Sequence, residues 1–113
     1  MTVIYSEAQT LDITGPAEVF DIVNRTLPDA TTRYRLEFVS PEAPLVRTGA
    51  GVTMQAAPLE EAAGRIDTLI VPGGWGARKA LANRELITWI GEAASRSRRT
   101  VSVCGGAFLL AEA

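Results

Sequence analysis

Cys104, the single cysteine of the sequence, lies where a strand pattern gives way to a helix pattern. The run Thr100–Val103 is apolar and β-branched, which is typical of a buried strand, and the residues from Ala107 onward favour a helix. A side chain on such a sharp strand-to-helix turn is held in an exposed and strained position. The N–H groups and positive dipole end of the following helix favour the thiolate, the reactive form. We therefore expect a nucleophilic thiol, against the alternative that Cys104 is a small buried hydrophobe.

Two glycine-containing loops are the second feature of the sequence that could take part in chemistry. Gly105 and Gly106 follow the cysteine and let a substrate approach the backbone closely. A second loop, Pro72–Gly74, follows the apolar strand pattern Ile66–Val71, and such strand ends are where open α/β sheets bind ligands. The loop is therefore predicted to line a site, with a plain turn as the alternative. Trp75 either stacks on a ligand or, as we expect, covers an edge of the core.

Composition limits the classes of function. The 113 residues suffice for one domain, are 47% hydrophobic and carry a formal net charge of −2, which is ordinary for a globular protein. The sequence has no histidine, the commonest metal ligand and general base, so we expect no metal site and no cofactor. The acidic balance argues against nucleic-acid binding by this segment. We interpret Arg96, Arg98 and Arg99 as cations at a helix C-terminus rather than a nucleic-acid patch.

The sequence predicts a cytoplasmic location without membrane contact. A lone cysteine forms no internal disulfide, which suits a reducing compartment. No apolar run approaches the roughly 20 residues that span a bilayer. The N-terminus also lacks the basic and apolar regions of a signal peptide.

The first half of the chain predicts a strand, a helix and a second strand. After the strand Thr2–Tyr5, Pro16 suits the first position of a helix, where a missing N–H costs nothing. Glu18 then lies in the first turn, where we expect it to favour the helix dipole rather than to act as a second acid. Three apolar residues at helical spacing predict a buried helix face: Val19, Phe20 and Val23. A loop is predicted over Asn24–Thr32, followed by a strand over Tyr34–Ser40.

The second half of the chain adds a hairpin, two strands and two helices. Leu45–Arg47 and Val52–Gln55 flank a glycine-rich bend and predict a hairpin. The remaining predicted elements are a short helix or turn over Pro58–Gly64, the strand Ile66–Val71, a helix over Arg84–Ser95 capped by Asn83, and the strand and helix around Cys104. This order predicts an α/β fold with a mainly parallel sheet. Because the sequence stops at Ala113 inside a predicted helix, we expect residues 1–113 to be one incomplete domain of a larger polypeptide.

Three motifs together resemble the ThiJ/PfpI superfamily, which has the class I glutamine-amidotransferase-like fold. They are Leu11–Phe20, Asp67–Gly74 and Ser102–Ala111, and they occur in the family's order and at its spacing. The resemblance implies a flavodoxin-like three-layer sandwich.

Within the superfamily, the Asp-x-x-Gly-Pro form at Asp12 resembles two branches. One is the N-terminal sensor domain of AraC-type transcriptional regulators, and the other is a group of stand-alone enzymes similar to isonitrile hydratase. Leu45–Val52 and Ala107–Ala113 look more like the regulators. That branch implies a small-molecule ligand, a homodimer, and DNA binding only through a separate helix-turn-helix domain that residues 1–113 do not contain.

The resemblance also assigns roles to residues. Cys104 falls on the elbow cysteine, and Asp12 falls on the acid that approaches the thiol, where the residues alone allow a solvent-facing loop carboxylate. Gly73 and Gly74 fall on the loop whose N–H groups face the substrate oxygen, and Gly105 offers a further N–H. Threonine is common at the position of Gly105 in both branches, and its absence weakens the hydratase interpretation. The predicted function is therefore ligand sensing, with a cysteine-dependent enzyme or a structural module without chemistry as alternatives.

Overall fold

A parallel sheet forms the centre of the fold, as predicted. The computed structural model describes residues 1–27 and 33–113, so that part of the predicted loop, residues 28–32, lies outside the described residues. In spatial order the described strands of the sheet are β5 (Ala57–Pro58), β2 (Phe38–Ser40), β1 (Thr2–Val3), β6 (Ile66–Val71) and β7 (Ser97–Ser102). All the pairings between these neighbours are parallel. The predicted hairpin is confirmed as a separate antiparallel pair, β3 (Leu45–Arg47) and β4 (Thr53–Gln55).

The helices lie on both faces of the sheet. They are α1 (Thr10–Thr26), α2 (Ala77–Ala80), α3 (Arg84–Ser95) and α4 (Gly106–Glu112). The chain moves one way along the sheet from β1 through α1 to β2, and the other way from β6 through α3 to β7. Right-handed crossovers in opposite directions place α1 and α3 on opposite faces. The flavodoxin-like three-layer arrangement is therefore confirmed.

The first helix begins earlier than predicted. It starts at Thr10, so Pro16 lies inside the helix and Glu18 lies beyond the first turn. Tertiary contacts hold the first turn in place, because the Thr10 hydroxyl donates to the Gly49 carbonyl at 2.6 Å. The proline ring removes one helix bond, and the contact with Gly49 offsets part of that loss.

The rest of α1 also departs from the prediction. Asn24 is helical rather than part of a loop. The predicted buried face is wrong at Val19, which is 60% exposed, whereas Ile13 is fully buried. Because the helix begins six residues before Pro16, its buried face is set by the first turn rather than by the apolar spacing after the proline.

The strand β6 and the helix α3 follow the prediction. β6 spans Ile66–Val71, and α3 spans Arg84–Ser95 with the Asn83 side chain accepting from the Leu86 N–H at 3.2 Å. Both elements carry strong local signals, an apolar run and a capped amphipathic pattern. The two-residue strand β5 and the short helix α2 were not predicted, and β2 is shorter than the predicted Tyr34–Ser40. Leu59–Glu61, inside the predicted short helix or turn, forms a 3₁₀ turn.

β7 is not the buried strand that its sequence predicts. It begins at Ser97, and five of its residues are exposed, including Val101 at 38%. Within the described residues it lies at the edge of the sheet and pairs only with β6. Arg98 and Arg99, which we expected at a helix C-terminus, therefore lie in a strand.

The core lies between the sheet and the helices. Its fully buried side chains include Ile4, Ile13, Leu69, Ile90 and Leu109. Among the described residues, no helix is both long enough and apolar enough to cross a membrane.

Candidate functional site

Three segments that the sequence singled out meet at the carboxyl end of the sheet. The chain after β1 leads to Asp12, the chain after β6 to the glycine loop, and the chain after β7 to Cys104. The sheet order changes direction between β1 and β6, so this is the topological switch point where parallel sheets place their ligands.

Cys104 is exposed and sits in the left-handed region with a φ of 52°. A non-glycine residue there bears a conformational cost of roughly 1–2 kcal/mol. The turn between β7 and α4 therefore lifts the sulfur out of the core, as predicted, and the buried alternative is wrong. An exposed thiol also differs from the filled pocket that a module without chemistry would have.

Gly73 packs directly beneath the cysteine. A Cβ atom on Gly73 would lie 3.1 Å from the Cβ of Cys104 and would collide with the Gly105 nitrogen. Only a glycine allows the two loops to approach this closely. The structure thus brings together Gly73, Cys104 and Gly105, three of the residues that the resemblance assigned.

Asp12 reaches the same loop from the first turn of α1. Its Oδ2 accepts a hydrogen bond of 3.1 Å from the Gly73 N–H, and the residue is half-buried. The solvent-facing loop carboxylate of the alternative interpretation is therefore wrong. The bond also has a consequence for Gly73: its N–H is already engaged, so a ligand oxygen would have to compete with the carboxylate for it.

The neighbouring donors remain available. Within residues 1–27 and 33–113, neither the Gly74 N–H nor the Gly105 N–H donates a hydrogen bond. Gly74 has a φ of 115°, and a Cβ there would meet the backbone of Glu7, Ala8 and Gln9. One uncommitted N–H belongs to the residue after Cys104 and the other to the residue after Gly73, which packs against Cys104. Backbone donors of this kind can stabilise an oxygen that gains negative charge.

Tyr5 is a site residue that sequence reasoning missed. Its ring is 2% exposed, and its hydroxyl donates to the carbonyl oxygens of Pro72 at 2.7 Å and Gly73 at 3.1 Å. Burial raises the pKa of the Tyr5 phenol above its usual range, and the nearby charges of Asp12 and Cys104 raise this pKa further. The only sequence signal was a tyrosine at the end of an apolar strand, which by itself indicates packing.

Trp75 does not cover the core as expected. It is 93% exposed, next to Gly74 in the loop after β6. The structure places it beside the site without a described neighbour that buries it, so the edge-covering interpretation is wrong. Among the described residues, no group of three or more cysteine or acidic side chains is placed to hold a metal ion.

Comparison with known proteins supports the family that the motifs indicated. The family model described as the DJ-1/PfpI family matches residues 1–113. The chain belongs to the DJ-1/PfpI family. A ThiJ/PfpI family protein from Pseudomonas syringae superimposes with a TM-score of 0.84 at 20% identity, over 98% of this chain and 43% of that one. A ThiJ/PfpI family protein from Bacillus anthracis gives a TM-score of 0.76 at 17% identity, over 97% of this chain and 52% of that one.

Curated proteins similar to this chain include a transcriptional regulator and an enzyme. A protein in the cpoL 5′ region of Streptomyces lividans is 36% identical over 113 residues, which are 100% of this chain and 77% of that protein. An HTH-type transcriptional regulator of Mycobacterium tuberculosis is 48% identical over 48 residues, 42% of this chain and 18% of the regulator. Isonitrile hydratase of Pseudomonas putida is 26% identical over 110 residues, 97% of this chain and 45% of the hydratase. The chain thus spans less than half the length of the regulator and of the hydratase.

Proposed function

We propose that this DJ-1/PfpI chain is the ligand-sensing domain of an AraC-type transcriptional regulator. The observation that carries the proposal is the set of contacts at Gly73. The exposed Cys104 packs against Gly73, and Asp12 accepts a hydrogen bond from the Gly73 N–H. A small metabolite would lie beside these groups. The similarity to an HTH-type regulator supports the regulatory role.

In this proposal the chain itself contacts no DNA. Ligand binding at Cys104 shifts a homodimer, and a separate helix-turn-helix domain of the full-length protein binds the operator. The composition agrees with this division, because the chain carries a formal net charge of −2 and a DNA-binding surface requires an excess of positive charge.

A cysteine-dependent enzyme similar to isonitrile hydratase is the second candidate. It is favoured by the hydratase match over 97% of this chain. The Cys104 thiolate would attack the carbon of a small electrophile, and the N–H groups of Gly74 and Gly105 would stabilise the charge that develops. Asp12 would carry the proton between the thiol and the product.

Iodoacetamide provides a direct test of the sensor, because it converts the Cys104 thiol into a stable thioether. The full-length protein and its Cys104→Ala variant are treated with the reagent. Their dissociation constants for labelled DNA fragments from upstream of the protein's own gene are then measured by fluorescence anisotropy. We expect the dissociation constant to change about fivefold or more in the wild type and to stay constant in Cys104→Ala. If the full-length protein binds none of these DNA fragments, either before or after alkylation, the regulatory proposal is wrong.

Turnover separates the two candidates. The full-length protein is incubated with an alkyl isonitrile and with an α-oxoaldehyde, and product formation is followed against the Cys104→Ala variant. The sensor proposal predicts no turnover above the variant with either compound. Multiple turnover that disappears in Cys104→Ala would establish the enzyme instead.

A further inference from the structure

The buried tyrosine behind the glycine loop is not used by the proposed chemistry, although it contacts the loop at two points. The single hydroxyl proton of Tyr5 is shared between the carbonyl oxygens of Pro72, at 2.7 Å, and Gly73, at 3.1 Å. The Gly73 carbonyl accepts a second bond, of 2.9 Å, from the Gln9 N–H. Two successive peptide groups are therefore held from the side of β1.

Each of these carbonyls shares a peptide plane with an N–H that matters at the site. The Pro72 carbonyl belongs to the same peptide as the Gly73 N–H, which holds Asp12. The Gly73 carbonyl belongs to the same peptide as the Gly74 N–H, which has no partner among the described residues. In a trans peptide the two groups point in opposite directions. Bonds that fix the carbonyls on the β1 side therefore fix both N–H groups on the other side.

Hydrogen bonds to a carbonyl also polarise the N–H of the same peptide. Such chains of bonds strengthen one another in a low-dielectric interior, by about 10–30% per bond. The Gly73 carbonyl receives bonds from Gln9 and Tyr5, so the Gly74 N–H becomes a better donor. The raised pKa of the phenol keeps Tyr5 protonated over the neutral pH range, so that its hydroxyl remains a donor.

We propose that Tyr5 is a positioning residue that orients and strengthens the Gly74 N–H as the donor to an oxyanion formed at Cys104, and that fixes Asp12 through the preceding peptide. The inference rests on the proposed ligand site at Cys104. An aldehyde serves as the probe of this donor, because thiolate addition to an aldehyde places the negative charge on an oxygen. The thiolate forms a C–S bond to the carbonyl carbon, the C=O π pair moves to oxygen, and the resulting alkoxide takes a proton from water to give a hemithioacetal.

Two reagents distinguish this role from simple reactivity. Butyraldehyde needs an oxyanion donor, whereas alkylation by iodoacetamide displaces iodide at carbon and forms no oxyanion. The full-length protein is titrated with butyraldehyde, and protection of Cys104 from iodoacetamide, read by mass spectrometry, gives the aldehyde dissociation constant. The alkylation rate without aldehyde is measured in parallel.

Tyr5→Phe is the test variant, and Tyr34→Phe, which makes the same chemical change at an exposed tyrosine, is the matched control. We expect Tyr5→Phe to weaken aldehyde binding about fivefold to tenfold and to change the alkylation rate less than twofold. Tyr34→Phe should change neither quantity. Equal aldehyde affinities in the two variants, or a loss of alkylation in proportion to the loss of binding, would overturn the inference.

A measurement on the wild type keeps the inference testable if Tyr5→Phe fails to fold. The amide proton of Gly74 should move downfield in the NMR spectrum when butyraldehyde is added, and an unmoved resonance at saturation would overturn the role of Gly74. If wild-type Cys104 is alkylated but binds no aldehyde, the inference about Tyr5 is wrong, whereas the proposed ligand site is not contradicted. A Cys104 thiol that resists both reagents contradicts the proposed ligand site as well.

Discussion

The two ends of the sheet differ in whether their polar groups have hydrogen-bond partners within the chain. At the amino end, the chain satisfies its charges internally. Arg98 donates two bonds to Asp67, at 2.7 and 3.1 Å, and Arg99 adds bonds to Asp67 and to the Thr68 hydroxyl. The ammonium group of Met1 donates to the Thr68 carbonyl at 2.9 Å. These contacts tie the start of β6 to the start of β7 and to the N-terminus.

At the carboxyl end, polar groups are oriented but left without partners. The N–H groups of Gly74 and Gly105 donate no bond to any described residue, and the thiol of Cys104 is exposed. The groups that hold this end, Tyr5 and Asp12, contact the loop from behind and from the side. Gly74 and Gly105 are half-buried, so water can accept from their N–H groups when no ligand is present.

The same contrast appears in backbone conformation. The carboxyl end contains Glu7, Gly74 and Cys104 with positive φ. Strained backbone concentrates where a site needs a particular geometry. At the amino end, the positive φ of 91° just before β6 belongs to Gly64, a glycine, for which this conformation carries no strain. The difference teaches that one end of the sheet pairs its polar groups within the chain, whereas the other leaves backbone donors and a thiol without partners among the described residues.

The largest effect that would test this contrast is expected at Gly74. Gly74→Ala forces a Cβ into the backbone of Glu7 and Gln9 at a φ of 115°, and we expect a loss of about 3 kcal/mol or more in the free energy of unfolding. Gly64→Ala is the matched control, because its φ is 91° but no atom lies within 4 Å of the new Cβ. It should cost about 1 kcal/mol, the conformational part alone. Urea denaturation measures both, and equal losses would refute the close approach at Gly74.

A smaller effect is expected at Asp12. Asp12→Ala leaves the part-buried Gly73 N–H without its acceptor, which should cost about 1 kcal/mol of stability. Asp12→Asn keeps a side-chain oxygen that can accept the same bond, so we expect it to retain most of that stability while it loses the negative charge. Urea denaturation of the three proteins at pH 7 gives the comparison. If both variants lose the same amount, the hydrogen bond to Gly73 does not hold the loop.

The smallest effect is expected at the amino end, where the charges are exposed. Hydrogen bonds from Arg98 and Thr68 hold the pKa of Asp67 well below its usual range. Because the folded pKa lies below the unfolded value of about 3.9, the contribution is complete above that value and is lost as the pH falls below it. Asp67→Asn should therefore lower the melting temperature slightly at pH 7, and the difference from wild type should shrink below about pH 4. A difference that stays constant down to pH 2 would show that the ion pairs contribute nothing to stability.

Local signals were sufficient where an element depends mainly on its own residues. The apolar run Ile66–Val71 and the capped pattern Arg84–Ser95 became β6 and α3 at the predicted bounds. The turn at Cys104 followed from a strand, a cysteine and two glycines in succession. The family motifs also predicted that Asp12 lies near the same turn.

Prediction failed where distant contacts decide the outcome. Pro16 signalled a helix start, but the bond from Thr10 to Gly49 holds a helical turn that begins before it. The apolar and β-branched run Thr100–Val103 predicted a buried strand, yet its residues in β7 lie at the edge of the described sheet and are exposed. Trp75 looked like a cover for the core and is instead exposed beside the site. Neighbours in space, rather than neighbours in sequence, set burial in each case.

The sequence by itself determined the α/β class, the family and the position of the thiol, because periodicity, capping and glycine-bearing turns act over a few residues. Only the tertiary structure decided which backbone donors are taken and which remain available. The Gly73 N–H is engaged by Asp12, 61 residues away along the chain, and Tyr5 reaches the same loop across 67 residues. Hydrogen bonds of that separation depend on the register and twist of the whole sheet, which no local pattern encodes.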